Sequence, residues 1–171
     1  MNNSVKYGLM YGLLPAVVML IIYGLGMNRD MEVQSYTRWI SIAIYCAVIF
    51  IGIRAERDDV LGGFIKFGKA YSTGFKMVMI GSVIGIAMTY LYFGVIDPGY
   101  REFLILQQEQ ELLDRDMSPE QIDAALPQLE KFMTIPMMLM FGLISSLLLG
   151  AVITLISAAI LKKEDPNEMI G

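Results

Sequence analysis

The residues of this chain that could do chemistry are few. Histidine is absent, and the single cysteine, Cys46, stands inside an apolar run. A disulfide framework, a Cys/His zinc site and a histidine-dependent nucleophile are therefore excluded, because each needs a second thiol or an imidazole. Gly63-x-x-x-x-Gly68-Lys69-Ala70 comes within one residue of a phosphate loop. Such a loop needs a Ser or Thr hydroxyl after the lysine to hold Mg²⁺, and a strand before it; Ala70 follows here and no strand is predicted, so no nucleotide is expected. Asp114-x-Asp116-x-Ser118 opens like a calcium loop, but Pro119 takes the place of the turn glycine and Ala125 that of the bidentate carboxylate. Carboxylates are otherwise plentiful only in residues 97–134, where helical spacing reads as a solvated face rather than a paired acid and base. No catalytic, cofactor-binding or metal-ligating residue is assigned, and no enzymatic activity or cofactor is expected. There is no basic face for nucleic acid.

The elements that would have to position any site are membrane spans. Of the 171 residues, 56% are hydrophobic and 18% charged, and the charges fall between long uncharged stretches. About 20 mostly apolar residues cross roughly 30 Å of hydrocarbon. Four stretches meet that length, at about 7–28, 36–53, 72–96 and 135–161. The second is the weakest, uncharged only over residues 39–53 and extended by letting Arg38 snorkel. The first is too long for the core of a secretory signal and reads as a span. The expected fold is thus an all-α membrane protein with four transmembrane helices, a single membrane domain over residues 1–171.

Lys and Arg set the orientation. With the N-terminus inside, eight of them (Lys6, Arg54, Arg57, Lys66, Lys69, Lys76, Lys162 and Lys163) fall on the cytoplasmic side and five on the other. The positive-inside rule then places both termini in the cytoplasm. The cytoplasmic connection passes through Gly62-Gly63 into a segment where Phe64, Phe67, Tyr71 and Phe75 recur at helical spacing among lysines. It is expected to be an interfacial helix that bends into the third span at Gly74, with Lys66, Lys69 and Lys76 as headgroup contacts. The outer connection, residues 97–134, is expected to be an amphipathic helical hairpin. Asp97-Pro98 would cap its first helix, Ser118-Pro119-Glu120-Gln121 would open the second as a capping box, and Pro127 would break the second.

Small residues carry the strongest positive signal. Gly142, Ser146, Gly150, Thr154 and Ala158 recur every four residues in the fourth span, with Gly81 and Gly85 in the third and Gly8 and Gly12 in the first. Such faces let helix backbones approach closely, a main source of association in lipid. They serve packing within one chain, a homo-oligomer, or contact with another membrane subunit. No ionisable residue lies deep in any span, which argues against a proton- or ion-coupled carrier.

Gly52-Ile53-Arg54-x-x-Arg57-Asp58, Gly62-Gly63-Phe64-Ile65-x-Phe67-Gly68-x-Ala70, Asp97-Pro98, Ser118-x-Glu120-Gln121-Ile122 and Ala158-Ala159-Ile160-Leu161-Lys162-Lys163 stand in this order. Through them nearly the whole chain resembles the Bacteroidota membrane family catalogued as domain of unknown function 4199. The resemblance implies a small inner-membrane four-helix protein and supplies no catalytic residue. The expected role is a non-enzymatic scaffold or accessory subunit, with the lipid bilayer and a membrane protein or second copy as partners. The alternative is a small carrier or lipid-handling protein that binds anionic headgroups through residues 64–76.

Overall fold

The computed structural model describes residues 2–165. Six α-helices follow one another: α1 (Asn3–Gly24), α2 (Met31–Ala55), α3 (Phe67–Leu91), α4 (Tyr100–Asp114), α5 (Pro119–Phe132) and α6 (Ile135–Leu161). Both α2 and α3 end in a five-residue π-helical turn, Glu56–Val60 and Tyr92–Ile96. Among the described residues there is no strand, only an isolated antiparallel bridge between Ile65 and Lys163. Four helices are long and apolar enough to cross a membrane: α1, α2 with its π turn, α3 with its π turn, and α6. In hydrocarbon every backbone N–H and C=O must be satisfied within the segment, so these Val-, Ile- and Met-rich stretches are helical despite modest intrinsic propensity.

The second of them is longer than its apolar stretch. Asp30 caps α2, its carboxylate accepting from the N–H groups of Glu32 (2.9 Å) and Val33 (3.2 Å). Thr37 and Ser41 then donate their hydroxyls back to the carbonyls of Val33 and Thr37. The polar first turns therefore satisfy themselves, and α2 reaches 25 residues, roughly 38 Å at 1.5 Å per residue. At the other end of the same connection α1 ends at Gly24, and Gly26, at φ +69°, lets Met27 and Gly26 donate to the carbonyls of Ile22 and Tyr23.

The chain divides into two compact units, Met1–Gly85 with Ile144–Gly171, and Ile86–Leu143. The second contains the α4–α5 hairpin. Ser118 and Gln121 form the expected reciprocal capping box at the start of α5. The first helix starts later than expected: α4 begins at Tyr100 after Gly99, and Asp97 closes the preceding π turn by donating its N–H to the Tyr92 carbonyl (2.8 Å). Pro127 does not break α5, which continues to Phe132. Its missing N–H forfeits a single bond, to a carbonyl on the exposed Asp123 turn.

The hairpin turn is held by a left-handed residue. Asp116 (φ +58°) lets its own N–H and that of Met117 reach the carbonyls of Leu113 and Leu112. Glycine adopts that conformation without the Cβ clash, so Asp116→Gly is expected to stabilise the hairpin by up to about 1 kcal/mol, read as slower amide exchange across residues 112–117. Arg101 ties the hairpin's open end, donating to the Met133 carbonyl (2.7 Å) and the Glu130 carbonyl (3.4 Å) at the C-terminus of α5.

Candidate functional site

Helix α3 is the hub of the first unit. Against α1, a Cβ built on Gly12 would lie 2.6 Å from the Gly81 carbonyl oxygen and 2.7 Å from Cβ of Ile84. One on Gly8 would lie 2.8 Å from Cβ of Ile80, and one on Gly81 would strike the Tyr11 ring and come within 2.9 Å of the Gly8 carbonyl oxygen. Backbone meets backbone here, which only glycine permits.

Against α6 the contact advances in steps of four residues on both antiparallel helices. Ser82 and Ser146 share a hydrogen bond (2.9 Å). One turn on, a Cβ on Gly150 would collide with Val78; a further turn on, one on Gly74 would lie 2.7 Å from Cγ2 of Thr154. The same register sets Ala70 opposite Ala158, both fully buried, and ends at the bridge between Ile65 and Lys163. Gly74 is therefore a point of close approach on an unbroken helix, not the expected bend. Helix α2 joins at Gly52, where a Cβ would lie 2.7 Å from Sδ of Met77 and 2.9 Å from the Tyr7 ring.

Tyr11 touches all four membrane-length helices. Carried on α1, it lies against Gly81 of α3, stacks on Tyr45 of α2 with ring centroids 4.4 Å apart, and brings its hydroxyl to 3.1 Å from where a Cβ on Gly150 of α6 would be. The side chain is 2% exposed. Its hydroxyl faces Ser146 without a partner in good hydrogen-bond geometry, and the fully buried hydroxyl of Thr154 likewise has none. The interior of the bundle is thus a seam of small residues and hydroxyls, with Ser82, Ser157 and Thr73 also buried. The buried carboxylate of this unit, Glu56, lies outside the seam, in the π turn at the end of α2, and no group of three or more metal-ligating residues occurs among the described residues.

The basic end of this unit is clasped. The chain leaves the Glu56–Val60 π turn through Gly62 and Gly63, at φ +66° and +94°. It then runs extended through Ile65 before α3 begins at Phe67. This corrects the expected helix over residues 64–71: Phe64 is not on the helix, because the segment pairs with the chain leaving α6. Ile65 donates to the Lys163 carbonyl (2.8 Å) and Lys163 to the Ile65 carbonyl (2.9 Å). Arg57 donates to the Leu161 carbonyl (3.3 Å), placing a cation at the C-terminus of α6. The Lys163 ammonium lies 5.1 Å from the Phe64 ring centre. Ile65 is 2% exposed, so Ile65→Asp should open the clasp. Exchange of the Ile65 and Lys163 amides should quicken at least tenfold, the equivalent of about 1.4 kcal/mol, while Ile65→Val leaves it nearly unchanged.

The lysines of this region have different surroundings. Lys69 lies 3.9 Å from the carboxylate of the buried Glu56. Lys66 is exposed on the extended strap, and Lys76 is exposed more than two turns into α3. Phe67, Tyr71 and Phe75 form a ladder along α3 with centroid spacings of 6.4 and 5.9 Å. Of the small residues singled out in the sequence, Gly8, Gly12, Gly81, Ser146, Gly150, Thr154 and Ala158 lie in the seam, whereas a Cβ on Gly85 or Gly142 would meet nothing within 4 Å. Gly52, Gly74 and Tyr11 join the seam without a packing signal in the sequence, where Gly74 reads as a bend. The two glycines lack a four-residue glycine partner, and Tyr11 looks like any interfacial aromatic until its neighbours are in place.

Membrane-length helices joined through glycines and buried hydroxyls define a multi-pass α-helical membrane protein. A family profile described as a protein of unknown function (DUF4199) matches residues 6–163, and the chain belongs to that family. No curated protein and no solved structure matches it.

Proposed function

We propose that the protein is a non-enzymatic scaffold or accessory subunit of a membrane complex, inserted in a bacterial inner membrane with both termini in the cytoplasm. The observation that carries this reading is the hairpin. Helix α4 buries no side chain and α5 only Ile122, while Leu106, Leu113 and Phe132 stay exposed. A two-helix hairpin of this size has too little interior to be stable alone, and its apolar side chains are available for another protein. The uncharged, hydroxyl-lined seam supports the same reading, since ion-coupled carriers place ionisable groups near the midplane.

The test is cross-linking in native membranes followed by mild-detergent purification and mass spectrometry. A second membrane protein should be recovered in stoichiometric amount, with cross-links from the 100–132 region. Recovery of the chain alone, or only with copies of itself, would defeat the scaffold reading. The orientation is checked separately: a reporter fused near Asp59 should lie in the cytoplasm, and a periplasmic signal there would overturn it.

The aromatic ladder from Phe67 to Phe75, flanked by Lys66, Lys69 and Lys76, favours a second reading as a lipid-handling protein. It predicts weakened binding to anionic liposomes when the three lysines are replaced by glutamine; unchanged binding would eliminate it.

A further inference from the structure

The acids of helix α4 fall into two groups. Glu111 is held within the helix by Arg115 and by the side-chain amide of Gln108 (3.0 Å), and Asp114 accepts from Gln110 (3.3 Å). The carboxylates of Glu102 and Glu109 meet no cation and no amide donor among the described residues. Position separates the two groups as well. At 3.6 residues per turn, Glu102, Leu106, Glu109 and Leu113 fall within about 60° of one another, whereas Glu111 lies on the opposite side of the helix.

This stripe is clear of the hairpin's own packing. Arg101, which ties α4 to the C-terminal end of α5, lies roughly 110° round the helix from the stripe's centre. Leu106 is 57% exposed and Leu113 47%; Glu102 is exposed and Glu109 partly so. Glu-x-x-x-Leu thus occurs twice in α4, seven residues apart, and lays two apolar anchors and two unneutralised carboxylates along roughly 17 Å of one face. Anchors repeated every seven residues have the spacing with which one helix packs along another.

Charge selects the occupant. Helices that lie on a membrane surface carry Lys and Arg beside their apolar face, which the anionic headgroups attract. Here the acids stand inside the apolar stripe, and residues 97–134 carry nine Asp and Glu against three Lys and Arg. A second copy fits no better. A parallel pair of stripes sets each glutamate against its own counterpart, and an antiparallel pair sets each glutamate against a leucine, so the carboxylates are repelled or desolvated with nothing to neutralise them. A helix face that offers Lys or Arg between apolar side chains satisfies both halves of the stripe.

We propose that the Glu102–Leu106–Glu109–Leu113 stripe of α4 docks a basic amphipathic helix of another membrane protein, whose Lys or Arg side chains meet the two glutamates and whose apolar side chains cover the two leucines. The proposal rests on the scaffold reading and adds to it the face that is used and the charge of the partner.

The test is zero-length cross-linking of the full chain in native membranes with a water-soluble carbodiimide, which joins a carboxylate to an amine in direct contact, followed by purification and mass spectrometry of the linked peptides. Glu102 or Glu109 should be joined to a lysine of one other membrane protein at least tenfold more often than Glu111 or Asp114. Leu106→Ser with Leu113→Ser keeps both carboxylates, so a chance link survives it, whereas docking predicts that the yield falls at least tenfold. Glu102→Lys with Glu109→Lys should lower recovery of the same protein at least tenfold, while Glu111→Gln with Asp114→Asn leaves it unchanged. Helix α4 buries no side chain, so all these chains should melt as the wild type does. Where the partner offers arginine in place of lysine, no link forms and the charge-reversal result decides. A link from the stripe to a second copy of this chain, or to the amine of phosphatidylethanolamine, would overturn the proposal by assigning the face to self-association or to lipid. A partner whose recovery is unchanged in the serine and lysine variants would overturn it and leave the scaffold reading standing; recovery of the chain with no partner at all would defeat both.

Discussion

Replacing Gly81 with valine is expected to lower the stability of the bundle by about 3 kcal/mol, while the same replacement at Gly85, one turn along α3, should change it by less than about 0.5 kcal/mol. The contrast follows from what each new side chain would meet. At Gly81 the first added carbon already strikes the Tyr11 ring and presses on the Gly8 carbonyl oxygen, 2.9 Å away; at Gly85 it meets nothing within 4 Å. Tyr11 cannot yield, because Tyr45 and Gly150 confine it on two other helices. The α1 backbone must therefore move away, and with it go the contacts of Gly8 and Gly12. In a chain of this length the Gly81 variant should melt roughly 10 °C lower in detergent or bicelles. Equal effects at the two positions would mean that α1 and α3 do not approach at Gly81.

Tyr11→Ala should be of similar size or larger. Truncating a buried aromatic side chain costs about 3–5 kcal/mol through lost contacts and the cavity left behind, and here the cavity would open where four helices meet. Tyr11→Phe separates the ring from the hydroxyl. The hydroxyl has no well-aligned partner, and removing an unsatisfied buried group is close to neutral, so Tyr11→Phe should stay within about 1 kcal/mol of wild type. Thermal unfolding followed by size exclusion reads both variants. A phenylalanine variant as unstable as the alanine one would show that the hydroxyl, not the packed ring, holds the junction.

The spans themselves are written in the sequence, because apolar length is a local property: α6 ends where its uncharged stretch does, at Leu161 before Lys162. The second span is harder to read. Glu32, Gln34 and Arg38 look like the boundary of a span when counted by polarity, yet they occupy the first turns of a helix that Asp30 caps. The strap departs from its expected helix for a related reason. Phe64 and Phe67 sit three residues apart, the spacing of a helix face, and what decides otherwise is a pairing with Lys163, 98 residues further along. Position in sequence carries no trace of that partner. Gly62 and Gly63, both at positive φ, were the available sign that the chain turns before the helix starts.

The seam is partly legible. Repetition every four residues marks one face of a helix, and Gly81, Gly150 and Thr154 carry that mark. Repetition does not say how far along that face the neighbour stays close. Gly85 and Gly142 carry the same signature as Gly81 and Gly150, and the difference between them is set by the path of the facing backbone. Tyr11 is invisible for the complementary reason. Its importance lies in the two absent Cβ atoms, of Gly81 and Gly150, and the one aromatic ring, Tyr45, around it, supplied by three other helices.

The central structural claim is that these small residues pack α3 against α6 within one chain, in register at Ser82 and Ser146. The most direct measurement is disulfide formation in native membranes by Ser82→Cys with Ser146→Cys in a Cys46→Ala background, with Gly85→Cys and Ser146→Cys as the shifted control. With the two hydroxyl oxygens 2.9 Å apart, the first pair should oxidise nearly completely and run as a monomer on a non-reducing gel, and the control pair should stay reduced. Cross-linked dimers from the first pair, or a control pair that oxidises while the first does not, would contradict it.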